Sequence, residues 1–182
     1  MRLKPRHLLD HRPHGVVLLR SGGGGEKLCF HPHPTRSPTA IVQPMLDKAL
    51  AIATAAHAGQ LDKAGAPHIG HVMRVVNGAP EGPAKIVAAL HDVIEDCPDW
   101  NLQRLAAEGF DANVLDAVAA ITKLPGQNYY DYLGLVMANP LARAVKLSDL
   151  ADNMDPNRNL NPDPEGIKRL AKYQMAKLFL QL

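Results

Sequence analysis

The stretch PAKIVAALHDVIED, which Pro83 opens and Asp96 closes, constrains this chain more than any other. Placed on one helix over Ala84 to Asp96, it sets Ile86, Leu90, Val93 and Cys97 in a narrow sector at i, i+4, i+7 and i+11. His91, Asp92 and Glu95 fall roughly opposite. One side therefore packs into a core, and the other presents an imidazole and a run of carboxylates. The i, i+4 spacing puts His91 over Glu95 and Asp92 over Asp96. Burying part of that acidic cluster uncompensated is costly. A bound cation is the simplest compensation.

The remaining punctuation suits short helices around this one. Leu46 to Ala58 is expected to be helical, ended by Gly59, and Gln60 to Gly70 to be a loop. A short helix over His71 to Val76 stops at Asn77-Gly78. Further helices are expected over Asn101 to Glu108, Ala112 to Ile121 capped by Asp111, Asn128 to Ala138, and Pro140 to Asn153. A last helix, capped by Asp163 or a neighbour, runs to about Leu180. No stretch has strand periodicity, and no repeat is present. The expected fold class is all-α, a bundle of about seven to nine helices.

Residues 1–44 read differently. They hold Gly22 to Gly25, five histidines (His7, His11, His14, His31, His33), several prolines and a basic excess. The reading is a disordered N-terminal extension, with Met45 as an alternative start and 45–182 as the folded domain.

Composition removes several function classes. A formal net charge of +2 over 182 residues gives no basis for nucleic-acid binding. No apolar run reaches the roughly 18 residues of a membrane helix, and Val16 to Leu19 is too short for a signal-peptide core. Cytoplasmic is the expected location. Cys29 and Cys97 form no CxxC pair, so neither a disulfide framework nor a zinc knuckle is indicated.

The chemistry concentrates in the folded part. His71 follows the loop glycines, His91 and Asp92 are adjacent, and Asp149 lies in VKLSDLADN. Lys146, Asp149 and Asn153 share a helical face at i, i+3, i+7. Two imidazoles and two carboxylates suit manganese, iron or zinc better than calcium or magnesium, and spacing does not choose among them.

From Leu46 to Tyr173 the chain carries HAGQ (57–60), KAGAPHIGH (63–71), AALHDVIED (88–96), Gly109-Phe110, ITK (121–123) and VKLSDLADN (145–153). In this order and spacing the sequence resembles the HD-domain phosphohydrolases. More closely, it is similar to the alarmone hydrolase domain of RelA/SpoT homologues, including the small stand-alone hydrolases. The resemblance implies a divalent metal, manganese first with iron or zinc as alternatives, held by His71, His91, Asp92 and Asp149. It implies Glu95 and Asp96 as the acidic pair that orients or deprotonates the attacking water. Lys63, Asn153, Arg169 and Tyr173 match substrate-binding positions, and Lys146 is a further candidate to offset phosphate charge. The expected activity is (p)ppGpp 3′-pyrophosphohydrolase on a small-molecule nucleotide, without nucleic-acid or membrane partners. Asp62, Ala64 and His68 stand where that family often has Arg, Ser and Tyr. Another nucleotide or dinucleotide phosphate is the alternative substrate, and a non-catalytic nucleotide-binding module is the alternative function.

Overall fold

The computed structural model describes residues 38–62, 64–158 and 164–182. The expectations for residues 1–37, for Lys63 and for an Asp163 cap fall outside them. The elements run α1 (Pro38–Ala56), α2 (His68–Gly78), α3 (Pro83–Leu90), α4 (Val93–Asp96), α5 (Leu102–Ala107), α6 (Ala112–Ile121), α7 (Tyr129–Ala138), α8 (Pro140–Asn153), a 3-10 turn (Pro156–Arg158) and α9 (Pro164–Leu180). The described residues contain no strand; Leu61 and Pro67 form an isolated antiparallel bridge. The fold is an all-α bundle, as the sequence pattern predicts. No described helix is long and apolar enough to cross a membrane.

The PAKIVAAL segment is the centre of the bundle. α3 packs against α1, α2, α6 and α8. Ala84, Ile86, Val87, Ala88, Ala89 and Leu90 are all buried, so this helix is apolar nearly all round rather than along one sector. Its alanines let the neighbouring helices approach closely.

The expected single helix breaks at its functional residues. His91 and Asp92 lie in a turn between α3 and α4. The His91 Nδ1 atom sits 2.7 Å from the Ala88 carbonyl, the acceptor that the Asp92 amide takes in an uninterrupted helix. A side chain inserted into the i to i−4 ladder is a standard cause of such a break. The turn re-aims Asp92 and the short α4 that carries Glu95 and Asp96.

Other boundaries shift for local reasons. α1 begins at Pro38 and carries Pro44 inside it, ahead of the expected start at Leu46. Residues 38–44, expected to belong to the disordered extension, therefore lie within this helix. α2 begins at His68, three residues before the expected start at His71, with Pro67 immediately ahead of it. Asn101, Asn128 and Asn139 cap α5, α7 and α8 by accepting backbone N–H bonds. Asp111 occupies the position before α6 without a side-chain capping bond.

One glycine fixes how closely α2 and α8 approach. A Cβ on Gly78 would stand 2.5 Å from Ser148 Oγ. That hydroxyl donates to the Val75 carbonyl at 2.9 Å. The contact sets α2, carrying His71, against α8, carrying Asp149 and Asp152.

Candidate metal centre

Three elements bring the ligand-type side chains together. α2 supplies His71, the α3–α4 turn supplies His91 and Asp92, and α8 supplies Asp149. His71, His91 and Asp149 are buried, with 4%, 2% and 4% exposure, and their ligand atoms lie within 4.8 Å of one another. The distances are 3.3 Å from His71 Nε2 to Asp149 Oδ1 and 4.0 Å from His91 Nε2 to Asp149 Oδ1. Asp92 Oδ2 stands 3.2 Å from His91 Nε2 and 3.7 Å from His71 Nε2. This group can hold a metal ion.

Hydrogen bonding on the far side of each ring orients the near side. His71 Nδ1 pairs with Asp152 Oδ2 at 2.6 Å, and His91 Nδ1 pairs with the Ala88 carbonyl at 2.7 Å. Each acceptor holds the ring proton on Nδ1 and turns an Nε2 lone pair toward the carboxylates. His91 Nε2 is buried with no hydrogen-bond partner. Lone pairs facing carboxylates repel unless a cation lies between them, so the donor set fits a divalent ion with N and O ligands.

The electrostatics agree. Burial alone lowers the pKa of His91, but the charges of Asp92 and Asp149 outweigh it and push it up to about 9. Burial would raise the Asp149 carboxyl, yet Lys146, His71 and His91 hold it well below the ordinary carboxylate range. Lys146 Nζ pairs with Asp149 Oδ2 at 2.8 Å, and the Asn153 side-chain amide donates to Asp149 Oδ1.

A cavity of about 390 Å³ opens over the group. Glu95, Asp96, Lys146, Asn153 and Tyr173 line it, as do Lys123 and Lys172. Glu95 Oε2 accepts from the Lys123 amide at 3.0 Å. Burial raises the Glu95 carboxyl above its ordinary value of 4.5, and the nearby Asp92 charge adds to that. Arg169 lies in a neighbouring groove with Glu165, Lys168, Lys172 and Tyr173, outside the lining of the main cavity. Asn153 and Lys146 are engaged by Asp149, so they brace a ligand as well as facing the cavity.

The sequence reading missed a network behind His71. Asp152 accepts from Arg74 Nε at 2.6 Å and from Arg158 Nη1 at 2.6 Å while holding His71. Arg158 Nη2 also reaches Asp62 Oδ2 at 2.7 Å, and Asp62 Oδ1 accepts from the amides of Ala64 and Ala66. Asp62 thus ties its loop to Arg158. The i, i+3 pairs His71/Arg74 and Asp149/Asp152 were available as a helical signal. Arg158, beyond the end of α8, carried none.

His57 stands apart from the ligand group. Its Nδ1 pairs with Gln60 Oε1 at 2.8 Å, its Nε2 is buried without a partner, and burial lowers its pKa. Cys97 is buried beside it, 3.6 Å away. Comparison with family models and with curated proteins finds no match for this chain.

Proposed function

We propose that this chain is a metal-dependent phosphohydrolase acting on a nucleotide, and specifically a (p)ppGpp 3′-pyrophosphohydrolase. The observation that carries the reading is the convergence of two inward-facing imidazole Nε2 atoms with Asp92 and Asp149 at a cavity lined by lysines and carboxylates. A divalent ion held by His71, His91, Asp149 and Asp92, manganese first, would supply a more acidic water and a polarised phosphoryl oxygen.

The chain's own residues do the rest. Glu95 or Asp96 accepts the proton of the attacking water, and the raised Glu95 pKa brings that base nearer neutrality. Lys123, Lys146 and Lys172 place positive charge along the wall where phosphate oxygens would lie. Asn153 and Lys146 hold Asp149 in place, and Asp152 holds His71. The water oxygen bonds to the phosphorus on the ribose 3′ oxygen. That P–O bond breaks, pyrophosphate leaves, and the 3′ oxygen ends protonated.

The test is incubation of the metal-loaded protein with ppGpp and manganese, reading pyrophosphate and GDP. Release of both supports the reading; no release from protein with bound metal rejects the specific substrate. A second substrate reading has its own observation: Asp62 is held by Arg158 at the cavity wall, where the resembling family often places an arginine. It favours another nucleotide or a dinucleotide phosphate, which a phosphate-ester panel separates from ppGpp.

A further inference from the structure

We propose that His68 is a positioning residue for the metal centre: its Nε2–H holds the Asp92 carboxylate in the orientation from which that group meets the ion. The inference deepens the phosphohydrolase reading and rests on the His71 group holding a divalent ion.

Three imidazole Nε2 atoms converge on one oxygen. Asp92 Oδ2 is 3.1 Å from His68, 3.2 Å from His91 and 3.7 Å from His71. The three rings are not equivalent. Acceptors at Nδ1, Asp152 for His71 and the Ala88 carbonyl for His91, turn an Nε2 lone pair of each ring toward the centre. Among the described residues, the side-chain hydrogen bond of His68 is the one from Nε2 to Asp92. An ionised carboxylate only accepts, so Nε2 of His68 carries the proton. His68 therefore donates to Asp92, while His71 and His91 leave their lone pairs for a cation. The His68 side chain is 12% exposed and that of Asp92 22%, so the bond is largely shielded from water.

Asp92 needs a partner from elsewhere in the fold. It stands immediately before α4, yet its side chain makes no capping bond to that helix. The donor comes from 24 positions earlier in the chain, and it is itself held on two sides. The His68 ring lies 4.4 Å from the His57 ring and 5.4 Å, edge-on, from the His71 ring. The His68 backbone N–H donates to the Gln60 carbonyl at 2.9 Å. The Gln60 side chain pairs with His57 Nδ1 at 2.8 Å and reaches the Asp96 carbonyl at 3.3 Å. The His57–Gln60 segment thus fixes the main chain and the ring of His68, and ties both to the end of α4. Partners that orient a metal-binding carboxylate in this way tune its hold on the ion.

The experiment is Mn2+ titration of the full chain, followed by calorimetry and by electron paramagnetic resonance of the free ion, on the parent, His68→Phe and His68→Gln. His68→Phe keeps a ring against His57 and removes the donor. His68→Gln gives up the ring and keeps an N–H near the place of Nε2. His68→Phe should bind Mn2+ about 10–100-fold more weakly than the parent, and His68→Gln should recover most of that loss. Circular dichroism melts of the metal-free proteins read folding separately, and His68→Leu replaces His68→Phe should the latter not fold. Equal affinity in the parent and the donor-less variant overturns the role of His68 and leaves the metal-dependent reading standing. An affinity that follows the ring, kept by Phe and lost by Gln, overturns it in favour of packing. One bound ion fewer in His68→Phe than in the parent makes His68 a ligand and also overturns it. Affinities in the expected order without hydrolysis of ppGpp reject that substrate and leave the role of His68 standing. No Mn2+ binding by the parent removes both.

Discussion

The Nδ1 atom of His71 lies 2.6 Å from Oδ2 of Asp152, and Arg74 and Arg158 grip the same carboxylate. The pairing fixes which nitrogen of His71 faces the cavity. Loss of such a partner typically costs about 10–100-fold in metal affinity. Asp152→Asn should therefore weaken Mn2+ binding by about that factor in calorimetric titration, with the helical signal unchanged. Unaltered affinity would mean that something else orients the ring.

Gly78 sets the spacing on which the two ligand-bearing helices depend. Gly78→Ala puts a methyl 2.5 Å from Ser148 Oγ, which must then leave the Val75 carbonyl. The expected loss is about 1–3 kcal/mol of stability, typical of overpacking. Adding Ser148→Ala should restore part of it, measured as coupling in a double-mutant cycle of urea unfolding. Independent effects would show that the close approach carries no energy.

Acid should loosen the loop that Asp62 anchors. Burial would raise the Asp62 carboxyl, but the amides of Ala66 and Ala64 and the Arg158 guanidinium outweigh it and hold it below its ordinary 3.8. A depressed folded pKa means that the stabilisation is complete above the unfolded value and is lost as pH falls through the folded one. Thermal midpoints should therefore drop below about pH 4, and Asp62→Asn should lower the neutral midpoint while flattening that drop. An equally steep acid loss in the variant would place the lability elsewhere.

Glu95 makes the opposite kind of prediction. Its carboxyl is raised above 4.5 by burial, with Asp92 adding repulsion. As a base it works only when deprotonated, so the acid limb of kcat/KM should lie above the ordinary carboxylate value. Glu95→Gln should erase that limb and lower kcat by about 10²–10⁴-fold. A limb unmoved by the substitution, with activity retained, would transfer the role to Asp96.

Much of this was legible because helices announce themselves locally. The apolar spacing of Val114, Leu115, Val118 and Ile121 and the proline at Pro140 gave α6 and α8 within their expected bounds, whereas Pro83 gave the start of α3 but not its end. His71, His91, Asp92 and Asp149 could be chosen because their motifs stand in order. What stayed hidden depends on three-dimensional contact. Periodicity sees one helix from Ala84 to Asp96, whereas the His91 ring takes the Ala88 carbonyl and breaks it. Arg158 reaches Asp62 across 96 positions of sequence, a pairing that no spacing rule announces. Arg169 shares a helix with Tyr173 but falls into the adjoining groove, because a helical register places a residue on a face without saying which cavity that face meets.

The most direct test of the account is a Mn2+ soak of crystals of this protein, read by anomalous difference scattering. A peak bounded by the Nε2 atoms of His71 and His91 and by the carboxylates of Asp149 and Asp92, at roughly 2.0–2.3 Å from each, is predicted. A saturating soak that leaves that point empty, or places manganese only at other residues, would contradict it.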